Sequence, residues 1–366
     1  MAVVTPAKRA PPPSREALRA ATVGLSASAL LILGIYVGSR RFKDFDVALV
    51  PYAAATVFAA FALGYRYAIW LGRPPTKRYF QQSLAIFFTR GKILANTLGL
   101  ARAVYGSLFT QRFIRERSTL RWLAHFCIMW GCLLAAAVTF PLSFGWIRFE
   151  TPRDSQEMYE AFVFGVRVFR CRLDSPLASL MFNALVVSAV LVLVGIFLSL
   201  YRRSRDRGVL AVQEASSDLL PLILLFAISA TGVLLTISTH FMNGFNYTFL
   251  SQFHAVTVIL TLLYIPFGKF FHIVQRPTQI GVQLYKQEGA AGEQAKCARC
   301  GEPFASALQV GDLKRVQAEL GIRYGLAGGG HYQDVCPPCR RKNLALLQDG
   351  MWGAVRRGGD PESKES

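Results

Sequence analysis

Acidic residues are scarce in this chain: 22 Asp and Glu stand against 41 Lys and Arg in 366 residues, a formal charge of +19. Histidine is scarcer still, with five. The chain also lacks a phosphate-cradling glycine loop, a nucleophile set beside a base, and a pair of carboxylates for acid–base work. Nothing in it therefore suggests a complete enzyme. Long tracts carry no charge at all, and the chain is 52% apolar. That excludes a soluble basic protein, which would spread its charges through every segment. Nucleic-acid binding is excluded on the same ground, because membrane-length apolar segments interrupt the basic residues. No small-residue cleavage site follows the first apolar run, so the Pro-rich basic stretch over 1–20 reads as a retained tail and not a signal peptide.

What is present is membrane-spanning sequence. Crossing a hydrocarbon core takes about 20 residues of helix, and six segments qualify: Ala21 to Val37, Ala48 to Trp70, Leu120 to Phe140, Leu177 to Leu200, Leu219 to Thr239 and Leu250 to Ile273. Positive loops set orientation. Between Gly72 and Ser118 nine Lys or Arg face one acid, Glu116, and Arg202 to Arg207 is also basic. The stretch from Arg148 to Asp174 balances five basic with five acidic residues, and Phe241 to Phe249 has no charge. A multi-pass protein of the cell's inner (cytoplasmic) membrane with both termini cytoplasmic satisfies the rule. The exception is Arg40-Arg41-Phe42-Lys43, which would lie outside.

The expected organisation is an all-α membrane bundle over 21–276 followed by a small cytoplasmic tail over 277–366. The loop over 72–118 mixes Leu84, Phe87, Phe88, Ile93, Leu94 and Leu98 with Arg90, Lys92 and Arg102. That mixture suits an amphipathic helix, lying in the headgroup layer or packed under a partner subunit. No internal repeat stands out.

Four of the five histidines, His125, His240, His254 and His272, fall in or at the ends of predicted spans. Intramembrane ionisable groups are costly and usually functional. His254 and His272 are 18 residues apart, which on one straight helix is about five whole turns and about 27 Å. Both would point to one face, one near each membrane surface. The topology sets His125 level with His272 on the inner side and His240 level with His254 on the outer side. Haem iron takes an axial ligand on each side of its ring, and neutral imidazole supplies it.

The string Leu263-Tyr-Ile-Pro-Phe-Gly-Lys-Phe-Phe-His272, preceded by Gln252-Phe-His254, resembles the last helix of the respiratory nitrate reductase gamma subunit. It is equally similar to the related membrane cytochromes of heterodisulfide-reductase and sulfite-reductase-associated complexes. Arg121-Trp-Leu-Ala-His125, followed by Trp130-Gly131, resembles the family's early ligand-bearing helix, so the likeness covers about Thr89 to Pro277. It implies a membrane cytochrome b with two haems stacked across the membrane, a quinone site near one of them, and His254, His272 and His125 as ligands. One departure matters: the family's early helix carries a second His ten residues on, and here that position is Ala135. The outer haem would then use His240 or be missing. Lys269 has two readings, a bond to a quinone oxygen or haem propionate, or snorkelling to the headgroups. Arg121 has the same two, and Arg66 is expected to snorkel.

The tail contains Cys297-Ala-Arg-Cys300-Gly and Cys336-Pro-Pro-Cys339. Two Cys-x-x-Cys knuckles can close four thiolates around one metal ion, and disulfides are not expected in the cytoplasm. A zinc-ribbon-like site is the primary reading. The knuckles also resemble those of rubredoxin, which binds a single redox-active iron. His331 can compete as a ligand but is not needed. Cys127 and Cys132 read as packing residues, and Cys171 has no second Cys nearby.

Together these readings predict a membrane cytochrome b subunit that relays electrons between quinone and a cytoplasmic oxidoreductase. The rival is a haem-free transporter using the histidines as a proton or metal pathway. Against it stands the expectation that such transporters show broken helices and inverted repeats.

Overall fold

The computed structural model describes residues 13–152, 154–205, 208, 213–322, 324–325 and 329–358. The first twelve residues of the Pro-rich tail, Asp206 and Arg207 of the basic turn, and residues 326–328 of the glycine-rich stretch lie outside these. The protein is an all-α membrane bundle with a four-cysteine unit near its C-terminus. Six helices among the described residues are long and apolar enough to cross a bilayer. They are α1 (Pro13–Gly38), α2 (Val50–Gly72), α6 (Thr119–Ser143), α7 (Pro176–Arg205), α8 (Leu220–Phe241) and α9 (Tyr247–Tyr264). Further α-helices among the described residues are α3 (Thr76–Phe87), α4 (Ile93–Val104), α5 (Arg112–Arg115), α10 (His272–Ala291), α11 (Ala307–Glu319) and α12 (Pro337–Gly358).

The chain divides into two compact units, Ser14–Trp70 with Ala101–Thr278, and Leu71–Leu100 with Gln279 onward. In the first, the usual soluble pattern is inverted. Large apolar side chains such as Leu30, Leu180, Phe197 and Ile223 are exposed, while Ser188, Ser229, Thr231, Thr257 and Thr261 are buried. Lipid tails solvate leucine as well as any core does, so small and hydroxylated residues go to the helix contacts. The α6–α7 crossing shows why. A Cβ at Gly131 would stand 2.8 Å from the Ser188 carbonyl, and one at Gly195 would stand 2.7 Å from the Ala124 carbonyl. Only glycine allows that approach.

The charge-balanced connection between α6 and α7 is not a loop. It folds into a meander, β1 (Ile147–Glu150), β2 (Met158–Val163) and β3 (Val166–Arg172), antiparallel throughout. Phe164 and Gly165, both at positive φ, make the tight turn between β2 and β3. The balanced charges meet there: Arg167 reaches Glu160 at 3.0 Å and Arg148 reaches Glu150 at 2.7 Å. Arg148 also approaches Asp44 at 3.5 Å, and Asp44 accepts from Arg40 at 2.8 Å. The basic cluster at the end of α1 is thus partly neutralised, and it sits at the same end of the bundle as the sheet.

The second unit joins two distant parts of the sequence. Helices α3 and α4 form a hairpin, closed where the Asn96 side chain donates to the Ile86 carbonyl at 2.8 Å. The same unit holds the later part of α10, the small sheet β4 (Gln294–Lys296) with β5 (Pro303–Ser306), and α11 and α12. Asp312 of α11, only 3% exposed, is the clasp. It accepts from Arg78 of α3 at 2.7 Å and from the Tyr285 hydroxyl of α10 at 3.0 Å. Burial first, and the bond to Asp312 second, push the Tyr285 phenol up, so it donates as a neutral hydroxyl. The tail expected from residue 277 therefore shares its unit with the first part of the loop expected over 72–118.

Candidate functional site

Ser118 caps α6 by accepting the Arg121 N–H, which starts the helix two turns before His125. The His125 Nδ1–H donates to Gln111 Oε1 at 2.8 Å. Gln111 is 1% exposed, holds φ +51 just before α5, and its amide nitrogen faces Met129 Sδ. Opposite stands His272, the first residue of α10, whose Nδ1–H donates to the Lys269 carbonyl. The two ring centres are 6.4 Å apart with their planes at 57°. Gln111 Oε1 and the Lys269 carbonyl only accept, so both rings carry their proton on Nδ1 and present the Nε2 lone pair.

This geometry fits a bis-imidazole metal site. An imidazole nitrogen binds a metal at about 2 Å and its ring centre lies about 1 Å further back, so two rings on one ion stand about 6 Å apart. Ligating histidines also donate their other N–H to a carbonyl or carboxylate. Gln111 was missed in the sequence. No local pattern marks it, because the turn before α5 brings it under His125 only in three dimensions.

The structure corrects the helix that was expected to carry His254 and His272 in one phase. That helix ends at Tyr264, and a 3-10 turn, Lys269–Phe271, leads into α10. Pro266 cannot donate to the helix and sits buried at the break. At 18 residues α9 is about 27 Å long, close to the roughly 30 Å hydrocarbon core, so the break falls at the end of the span. His272 therefore reaches His125 from a separate helix.

Arg66 is exposed and has a partner at the helix break. Its guanidinium donates to the Pro266 carbonyl, freed by the break, and lies 4.2 Å from the Phe271 ring centre. Broken membrane helices need such a partner for each liberated carbonyl. Replacing Arg66 by Leu is expected to cost about 1–3 kcal/mol, the penalty for one buried unsatisfied acceptor. Thermal unfolding in detergent reads this as a lowered midpoint. An unchanged midpoint would mean that the break stands without Arg66.

Lys269 is held by an ion pair with Asp218, and its main contribution at the site is the carbonyl that orients His272. Beside His272 opens a cleft of about 520 Å³, walled by Arg66, Tyr264, Phe267, Lys269 and Phe271 among others.

The outer pair is not assembled. The His254 Nδ1–H donates to Thr231 Oγ1 at 2.8 Å, because the Thr231 hydroxyl is itself spent on the Ala227 carbonyl at 2.6 Å. His240 lies nine residues beyond Thr231, about 13 Å along α8. It is exposed, with Nδ1 bonded to its own helix at the Thr236 carbonyl, 3.1 Å away. Equal sidedness in the topology did not amount to equal depth.

The four tail cysteines do converge. The Sγ atoms of Cys297, Cys300, Cys336 and Cys339 all lie within 4.8 Å of one another, and Cys300 to Cys336 is 3.8 Å. Tetrahedral sulfur at about 2.3 Å from one ion gives sulfurs about 3.8 Å apart, so the group can hold a metal ion. The Cys336 N–H at 3.2 Å and the Arg299 N–H at 3.4 Å point at Cys297 Sγ. These amides, that of Cys336 foremost, bring the Cys297 thiol down to about 6. Hydrogen bonding to Cys336 pushes Cys339 up to about 12. His331 uses Nδ1 to accept the Gln333 N–H at 3.1 Å and is not part of the cluster. Cys127, Cys132 and Cys171 are free thiols and not members of it. Compared with known proteins, the chain matches no protein-family model, no curated sequence and no solved structure.

Proposed function

We propose that this protein is a membrane cytochrome b that relays electrons between a quinone and a cytoplasmic redox partner, with one haem held by His125 and His272. The observation that carries the reading is that ring pair, 6.4 Å apart, with both Nδ1 protons committed to fixed acceptors. A haem bound there supplies one-electron transfer at a potential set by its ligands and burial. Gln111 and the Lys269 carbonyl hold the two Nε2 lone pairs in place. Arg66 and Phe271 keep His272 at its station past the helix break. The cleft beside His272 is within the usual size range for a small-molecule site and offers aromatic walls to a quinone ring.

The reading includes one haem, not two, since His240 and His254 are left apart. The four-cysteine unit takes zinc in this account, with single iron as the alternative, and presents a docking platform to the soluble partner. The inner membrane with cytoplasmic termini remains the location that fits the loop charges best.

The interruption after Tyr264 favours haem-free transport, where discontinuous helices line the substrate path. The length of α9 argues against it, because the break comes at the end of the span and not at its middle. Protein purified from haem-replete cells should be red, with a Soret band, a sharp α band on dithionite reduction and one haem per chain by pyridine haemochrome. Colourless protein with intact helical content would end this proposal and leave the transport reading.

A further inference from the structure

We infer that the outward face of the α3–α4 hairpin is a lipid-contact surface, seated in a leaflet rich in anionic headgroups, which tethers the four-cysteine unit to the membrane. The hairpin has two faces of different fate. One is covered within its own unit, where Tyr79 meets Tyr285 at 5.3 Å between ring centres and Arg78 meets Asp312. The other carries Leu84 and Phe88 on and just past α3, and Leu94 and Leu98 on α4, each pair at the i, i+4 spacing of one helical face. Phe88 is 63% exposed, Leu94 75% and Leu98 52%. Large apolar side chains clustered in this way need an apolar neighbour.

Two observations favour lipid as that neighbour. First, Leu71–Leu100 carries five cations, Arg73, Lys77, Arg78, Arg90 and Lys92, and no acid; Arg78 is paired with Asp312 and Lys92 with Glu288 within the unit. Lys77, seven residues before Leu84, and Arg90, two residues past Phe88, are both exposed, and cations near an apolar helical stretch favour anionic bilayers. Second, α3 begins at Thr76, four positions after the span α2 ends at Gly72. Four extended residues reach about 13 Å, so the hairpin originates at a bilayer surface whatever else touches it. The Asp312 clasp then passes that anchorage to α11 and the cysteine cluster.

The test uses full-length protein in nanodiscs of anionic phospholipid, with Leu94→Trp and, separately, Leu98→Trp. Both positions are exposed, and an unchanged metal content reports an intact unit. Emission is read as the difference from the parent. Phospholipid brominated on its acyl chains is expected to remove at least half of the added emission, while aqueous acrylamide removes little. Emission indifferent to bromolipid overturns the inference, whether acrylamide quenches it, as for a water-facing residue, or neither does, as for one under a protein partner. Replacing the anionic with zwitterionic lipid should reduce the bromolipid quenching at least twofold. Undiminished quenching would overturn the role given to the cations. None of these outcomes depends on haem.

Discussion

His125→Ala and His272→Ala are each expected to abolish the low-spin haem spectrum, while His240→Ala and His254→Ala leave it as it is. In the proposed site the two rings, 6.4 Å apart, share one iron, so either loss would leave a single axial bond, and the haem would turn high-spin or dissociate. Haem per chain should fall at least about tenfold, the scale already expected from losing one group that merely orients a ligand. Gln111 gives the same site a finer test. Gln111→Leu removes the acceptor that fixes the His125 tautomer and should weaken haem retention by about tenfold. Gln111→Glu keeps an acceptor and should retain haem, with a lowered potential because a carboxylate draws the Nδ1 proton more strongly. Haem counting, absorption spectra and redox titration of the purified variants read all of this. A full spectrum in His272→Ala would end the assignment of the pair. A His240→Ala variant that loses haem would mean that the outer side holds a ligand this geometry does not assemble.

Cys297→Ser combined with Cys336→Ser should take the full-length protein from one bound zinc to none by metal analysis, whereas His331→Ala leaves the zinc in place. The effect should be all or nothing, because one lost thiolate opens the tetrahedron and the core behind it is thin. Among the described residues, Val335 with Phe304 packed beside it backs the buried cysteines Cys297, Cys336 and Cys339. Binding should also depend on pH. Cys297 is already ionised above about pH 6, so near neutrality a divalent ion displaces protons from at most the other three of the four thiols. Below about pH 6 a fourth proton must leave as well. Apparent affinity therefore falls as the pH falls, and more steeply below 6. A chelator competition across pH 5 to 8 would show this, and a flat profile would rule out thiolate ligation. Iron in place of zinc in the metal analysis, lost from the same double variant, would put the unit on the electron path.

The six spans and the four-cysteine cluster were legible without coordinates because their signals are local. An uncharged run of about 20 residues must be a membrane helix whatever surrounds it, since its backbone polar groups have no other partner in lipid. Two Cys-x-x-Cys knuckles bring their own ligands within reach of one ion. The facing of His125 and His272 also followed from the sequence, from loop charge and span order. The β-meander is readable in principle from the β-branched and aromatic residues of Val166-Arg-Val-Phe-Arg.

The rest was decided by contacts far apart in the chain. Periodicity extended the last helix through Pro266, although Arg66, 200 residues away, is what makes a stop there tolerable by taking up the freed carbonyl. Topology put His240 and His254 on one side of the membrane, but the packing of α9 against Thr231 set their depths, and it separates them. The loop over 72–118 and the tail looked independent until Asp312 met Arg78 across 234 residues. Hydropathy and motif spacing report what each segment must bury or bind. Which segment it meets is set by side-chain packing across the fold, and a linear pattern carries no record of that.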